Sequence, residues 1–223
     1  MQRFRFQVKQ SAKMMLLSGL VGLLLVLTAE ARVGYSESDL CYDTEQCLHF
    51  DLICQTEDFE VRHIESLNWA STHEMEYSFD TAVKNGFKRI QKYINGANQN
   101  GTKMDIVTPV VVRVHHRNSG EIGVYIVHVL LPAEYQENPP TPTDENVYIL
   151  KSPDMKVYVR GYDELLSAKS DNETAQSLAS DLDSVGANYK KNFHLAAAYS
   201  SPLSITNRHS EVLFVALGEP VCN

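Results

Sequence analysis

Apolar residues recur along this chain in two rhythms, and the structural elements change where the rhythm changes. FDLICQ (50–55) and FEVRHI (59–64) flank a TED turn and alternate at the two-residue step of a β-hairpin. LNWAST (67–72) continues in extended form. Phe79, Ala82, Val83, Gly86, Phe87, Ile90 and Ile94 then fall three and four positions apart, which predicts an amphipathic helix over 78–95. Ser78 suits its N-cap and Gly96 its stop. Gly86 lies inside the apolar stripe, where it costs about 1 kcal/mol against Ala, so the helix is expected to approach a sheet closely there.

Beyond the polar loop NQNGTK (98–103), IVTPVVVRVH (106–115) and VYIVHVLL (124–131) read as long strands joined through the turn signal NSG (118–120). A proline-rich connector, PPTP (139–142), follows. VYILK (147–151) and KVYVR (156–160) are strands. Ala175, Leu178, Ala179, Leu182, Val185 and Tyr189 make a second helical stripe, and HLAAAY (194–199) and EVLFVAL (211–217) are strands again. The order of two β segments, a helix and two β segments thus occurs twice. The expected fold is α+β, a curved, mostly antiparallel sheet or barrel with two helices packed on it, a closure that also pairs the strand edges.

The N-terminus stands apart from this pattern. Arg3, Arg5, Lys9 and Lys13 precede an apolar run over 14–29, and Ala29-Glu30-Ala31 supplies small residues at a cleavage site. Residues 1–31 therefore read as a secretory signal peptide. The alternative is an uncleaved anchor, for which the run falls short of the roughly 20 residues that span a bilayer. No later segment is long and apolar enough to span, so no membrane association is expected after cleavage. Residues 32–48 form a polar, cysteine-bearing N-terminal segment, and 49–223 the domain. Removing the signal leaves 16 basic and 27 acidic residues, a formal charge of −11. Such a surface repels nucleic acid and anionic lipid.

An exported chain changes the reading of its four cysteines, Cys41, Cys47, Cys54 and Cys222. An even number in an oxidising compartment points to two disulfides. Zinc is the rival, but its C-x-x-C spacing is missing. Chain ends often lie close together, so Cys54–Cys222 with Cys41–Cys47 is the expected pairing among the three possible. Asn100-Gly-Thr and Asn172-Glu-Thr are glycosylation sequons that suit secretion.

Catalytic patterns are scarce. Nucleophile elbow, P-loop and dinucleotide fingerprint are all missing, and His73-Glu74 lacks the second histidine of a zinc protease because position 77 is Tyr. His115 and His116, adjacent on a strand, point to opposite faces and read as a strand-end pair in solvent. No enzyme is expected. His63 shares a strand face with Phe59 and Val61, as either a satisfied core histidine or a ligand.

EVRHIESLNWAST (60–72) resembles the E-x-R-x-Y…W-x-S-T signature of the SOUL haem-binding proteins. GFKRIQKYINGAN (86–98), Thr108-Pro109-Val110, PPTP (139–142), VYVR (157–160) and NRHSEV (207–212) follow in that family's order. The resemblance covers about residues 50–217. It implies a distorted antiparallel β-barrel of two β-α-β-β-type repeats, each with a long helix, that binds haem or a related porphyrin without catalysis. It also implies that His63 is a candidate axial ligand to iron, as the histidine of that motif is in some members. Ile64 stands where the family usually has Tyr, and Leu213 where it usually has Trp. Arg62 and Arg160 could pair with haem propionates or form ordinary ion pairs, and Trp69 could be core or a stacking platform. The expectation is a secreted haem or porphyrin carrier. A secreted interaction module that no longer binds haem, its protein partner unknown, is the second reading, and a tetrapyrrole enzyme the third.

Overall fold

The computed structural model describes residues 33–35, 44–118, 120–200 and 208–222. Residues 1–31, read as a signal peptide, and Cys41 lie outside them. In chain order the elements are β1 (Val33–Tyr35), β2 (Gln46–Leu48), β3 (Asp51–Gln55), β4 (Glu60–Ile64), β5 (Asn68–Glu76), α1 (Phe79–Ile94), β6 (Val107–His115), β7 (Gly123–Leu130), a 3-10 turn (Ala133–Tyr135), β8 (Tyr148–Lys151), β9 (Met155–Tyr162), α2 (Ala168–Ser184), β10 (Phe193–Ala198) and β11 (Ser210–Val215).

One sheet runs β3-β4-β9-β11-β10-β6-β7-β5-β8. All of these pairs are antiparallel, and only the single β2–β6 bridge, Cys47 against Thr108, is parallel. The order exposes the repeat. β4-β5-α1-β6-β7 and β8-β9-α2-β10-β11 each contribute a central triple, β5-β7-β6 and β9-β11-β10, and the triples join between β6 and β10. The first strand of each repeat is exchanged, β4 onto β9 and β8 onto β5. The two halves therefore clasp one another, but β3 and β8 remain as the ends of the path, so the expected pairing of every strand edge is not met among the described residues.

Alternation along the strands creates three apolar layers. Side chains on the concave face, among them Ile64, Trp69, Val111, Leu130, Val159 and Leu213, form the lumen of the distorted barrel. On the convex face, Ala82, Ile90 and Ile94 of α1 pack on Val112, Val127 and Val129, and Ala175, Leu178 and Leu182 of α2 pack on Val61, Tyr158 and Phe214. A buried pair at one strand position thus faces two different cores.

The helix ends follow local chemistry. The Ser78 hydroxyl accepts from the Thr81 amide at the start of α1, and Asn95 caps its end before Gly96, which has φ 107°. The α2 helix opens at a capping box of Ser167 and Ser170 and closes before Gly186 at φ 68°. It therefore both begins and ends earlier than its apolar stripe suggested. Val185 is its exposed C-cap, and Tyr189 lies beyond it, bridged to Ala216 and packed on Phe214 at 5.0 Å between ring centroids. A residue needs only to reach the same core, not to share the helix, to keep the periodic pattern. The 32–48 segment also differs from a loop: β2 pairs with β6, and Cys47 and Leu48 are buried in the lumen layer.

Gly86 makes the close approach expected of it. A Cβ there would lie 2.5 Å from Val127 Cγ2 and 2.8 Å from Val127 Cβ. Gly86→Ala gains helix propensity but overpacks the α1–β7 contact, for a net loss of roughly 1–2 kcal/mol. A urea melt checks this, and an unchanged or raised midpoint counts against the tight packing.

Candidate functional site

The alternation that separates lumen from exterior decides which sequence-nominated residues meet. His63 follows Val61 onto the convex face, just past the cover of α2, where its side chain is 26 % exposed. Its Nδ1 lies 3.3 Å from Asp51 Oδ2 and its Nε2 2.9 Å from Asp154 Oδ2. Hydrogen bonds to Asp154 and Asp51 hold its pKa above the ordinary imidazole range. Both ring nitrogens are thus engaged by carboxylates.

Arg62 points the other way, into the closed floor of the lumen. Its Nη1 lies 2.9 Å from Glu211 Oε1, its Nε 2.7 Å from Glu60 Oε2, and its guanidinium stacks 4.0 Å over the Phe50 ring. Glu211 is fully buried and takes a second contact from His209 Nε2 at 3.0 Å. Burial works against the Glu211 carboxylate, but hydrogen bonding from His209 and the Arg62 charge outweigh it and leave its pKa below the ordinary value. Arg160 belongs to the convex face, where it binds Asp181 of α2 at 2.7 Å, Ser177, and the Asp58 carbonyl. His63, Arg62 and Arg160 are thus brought to three separate places.

The open part of the lumen holds a different set. A cavity of about 220 Å³ opens between β5, β6, β7, β8 and β10. Ile64, Trp69, Val111, Leu195 and Leu213 supply apolar walls, Arg113, Lys151 and Lys190 line it too, and among the described residues no carboxylate does. Arg113 lies with its guanidinium 3.8 Å over the Phe193 ring, and its buried Nε has no hydrogen-bond partner among the described residues. An orphaned cationic donor in an apolar cleft is the arrangement that an anionic ligand group completes.

One imidazole faces this space. His128 stands on β7, opposite Ser71 of β5 and Val111 of β6, and is 7 % exposed. Ser71 Oγ lies 2.8 Å from its Nδ1, and the Trp69 indole meets it edge-on with centroids 6.4 Å apart. Burial, with Arg113 nearby, pushes its pKa down to about 4, so the ring is neutral at physiological pH. Trp69 is both core and wall: it is 5 % exposed, its Nε1 donates to Ser152 Oγ at 3.2 Å, and it lines the cavity. In the sequence, His128 was hidden within VYIVHVLL, where one polar residue in an apolar run gives no sign of the face it takes.

A second, more polar groove lies outside the sheet by α2. Asp171 Oδ2 binds His194 Nε2 at 2.9 Å, and His194 Nδ1 lies 3.0 Å from His116 Nε2. His115 and His116 do point to opposite faces: His115 tilts on Phe193 with centroids 6.0 Å apart, and His116 joins this chain. His116 is exposed, as expected, yet its ring is anchored to a buried partner. Among the described residues no group of three His, Cys, Asp or Glu side chains is placed to hold a metal ion.

The disulfide Cys54–Cys222 joins β3 to the C-terminal segment with a Cα–Cα distance of 6.0 Å, as expected. Cys47 is also disulfide-bonded, and Cys41, its expected partner, lies outside the described residues. Asn100 and Asn172 are both exposed.

A family model described as SOUL heme-binding protein matches residues 45–215. The chain belongs to this family. It is 31 % identical over 168 residues to heme-binding protein 2 of Homo sapiens, covering 74 % of this chain and 82 % of that one. It is 25 % identical over 162 residues to heme-binding protein 1 of Bos taurus, covering 72 % and 84 %. Among solved structures the EcmrR C-terminal domain matches with a TM-score of 0.53 at 11 % identity, over 72 % of this chain and 96 % of that domain. That likeness is one of fold alone. Trp69 and the arginine of EVRHI, which carried the family signature in the sequence, serve the lumen core and its buried ion pair in this member.

Proposed function

We propose that the protein is a secreted, non-catalytic carrier or scavenger of haem or a related tetrapyrrole, held in the lumen cavity. The observation that carries this reading is the cavity's make-up: apolar walls, three lining cations and, among the described residues, no lining carboxylate and no partner for Arg113 Nε. A tetrapyrrole is a flat apolar ring with anionic edge groups, and this donor set fits it. The enclosed volume is below the roughly 300–1,000 Å³ of most small-molecule sites, so a ligand of this size extends through the mouth, where Lys151 and Lys190 stand exposed. Arg113 would meet a carboxylate, and Trp69, Val111 and Leu195 would exclude water from the ring. Membership of a family described as heme-binding, and relatives that carry the same name, support the ligand class.

Secretion is supported by the signal-like N-terminus and by the oxidised cysteines, since disulfides persist in exported proteins. The exposed Asn100 and Asn172 sequons are accessible to glycosylation.

Trp69 is the sole tryptophan of the chain, so its fluorescence reports on the lumen. Addition of protoporphyrin IX or haem to the disulfide-bonded secreted protein is expected to quench it. Arg113→Ala should weaken that binding about tenfold, as loss of one charge-assisted pair implies, while Arg160→Ala, on the convex face, leaves it unchanged. Quenching by neither probe would instead favour the interaction module that has lost its tetrapyrrole.

A further inference from the structure

We propose that His128 is the protein's axial ligand to haem iron, and that the family-motif histidine, His63, is not. The inference rests on the lumen reading and gives that site a preference for the iron-bearing ring over the metal-free one.

Three features of the site converge on His128. It is the one imidazole nine-tenths buried that lines the cavity. Ser71 Oγ at 2.8 Å from Nδ1 fixes the ring: with the Nδ1 proton donated to that hydroxyl, the Nε2 lone pair is the one left for a metal. This is the arrangement by which metal-bound histidines are oriented, the second nitrogen held by a hydrogen bond. The ring is also held in place on both sides along the strand register, since Ser71 and Val111 stand directly opposite it and the Trp69 edge closes it laterally. Burial above all, and then the charges of Arg113 and His73, disfavour its protonated form. A neutral imidazole with a free lone pair in an apolar pocket is what iron requires.

His63 fails each of these conditions. It is on the convex face, absent from the cavity lining, and its two nitrogens are engaged by Asp51 and Asp154. To reach iron it would have to leave both carboxylates and cross the sheet.

Bound haem supplies an iron centre whose absorption reports directly on its axial ligand, and that gives the test. Ferric haem and metal-free protoporphyrin IX are titrated into the wild-type protein and into His128→Ala, Ser71→Ala and His63→Ala, reading the Soret band and Trp69 quenching. The expected result is a shifted Soret band and a loss of haem affinity of about tenfold or more in His128→Ala. Protoporphyrin IX affinity should stay within about twofold in the same variant, which also shows that the lumen remains folded. Ser71→Ala is expected to weaken haem about tenfold, the usual cost of losing the hydrogen-bond partner of a ligating histidine. His63→Ala leaves the Soret band in place. An unchanged Soret band in a His128→Ala protein that still binds haem overturns the inference and leaves the lumen reading standing. A Soret shift in His63→Ala alone overturns it in favour of the other histidine. If neither probe quenches Trp69 in the wild type, the lumen reading falls and the ligand assignment with it.

Discussion

Replacing Cys54 and Cys222 together by Ser is expected to lower the unfolding free energy by roughly 4–5 kcal/mol in the loop-entropy description. The bond closes a chain separation of 168 residues, so it removes more freedom from the unfolded chain than a local bridge could. Its place in the fold strengthens the effect. The β3 strand is the end of the sheet path, joined only to β4, with Leu52 and Ile53 exposed. The C-terminal segment beyond β11 is tied down by the Val221 amide donating to Tyr158 Oη at 2.9 Å, and by this bond. A domain of this size loses about 2–4 °C per kcal/mol, so the melting temperature should fall by roughly 8–20 °C. Denaturant unfolding of oxidised wild type against the double variant measures it, and a loss under about 1 kcal/mol would show that the native bond carries offsetting strain.

Glu211→Ala is the other large effect. Glu211 and Arg62 are both buried, and the change strands the guanidinium with Glu60 as its remaining carboxylate. Breaking one side of a buried pair costs roughly 3–5 kcal/mol, because the orphaned charge keeps its desolvation penalty. Replacing both partners with apolar residues, Arg62→Met with Glu211→Leu, should restore most of the loss. If the double variant is as unstable as the single, the pair contributes through something other than charge burial. The same pair sets an acid limit. Glu211 has a folded pKa below its ordinary 4.5, so its contribution is fully present above that value and is lost as pH falls through the lower folded one. The Glu211→Ala protein should therefore lose less stability than wild type between pH 4.5 and the acid transition.

Much of this architecture was legible in the residue pattern, because local chemistry fixes it. Ser78 caps α1, Gly96 ends it and Gly86 marks its contact with β7, since a hydroxyl, a positive φ and a missing Cβ act within a few residues. The doubled order of strands and helix, the family, and the Cys54–Cys222 pairing also followed from the sequence. What escaped was whatever depends on a partner distant in the chain. The end of α2 was misplaced because Tyr189 reaches the α2 core from outside the helix. The 46–48 strand was missed because three residues carry no period, and its partner β6 lies about sixty positions on.

The candidate site shows the same division. The sequence by itself placed His63 in a family motif and on a face with Phe59 and Val61, and that face is real. It could not say that the face is convex. Alternation distinguishes two sides of a strand but gives neither the name of inside, because both sides here are apolar: one is covered by helices and the other lines the lumen. The exchange of β4 onto β9 and the curvature of the whole sheet decided that, turning Arg62 and Ile64 inward and His63 outward. The same curvature brought His128, Arg113 and Trp69, from three strands, around one cavity. Residue order settles which side chains share a face; only the curvature of the sheet determines which face becomes the lumen.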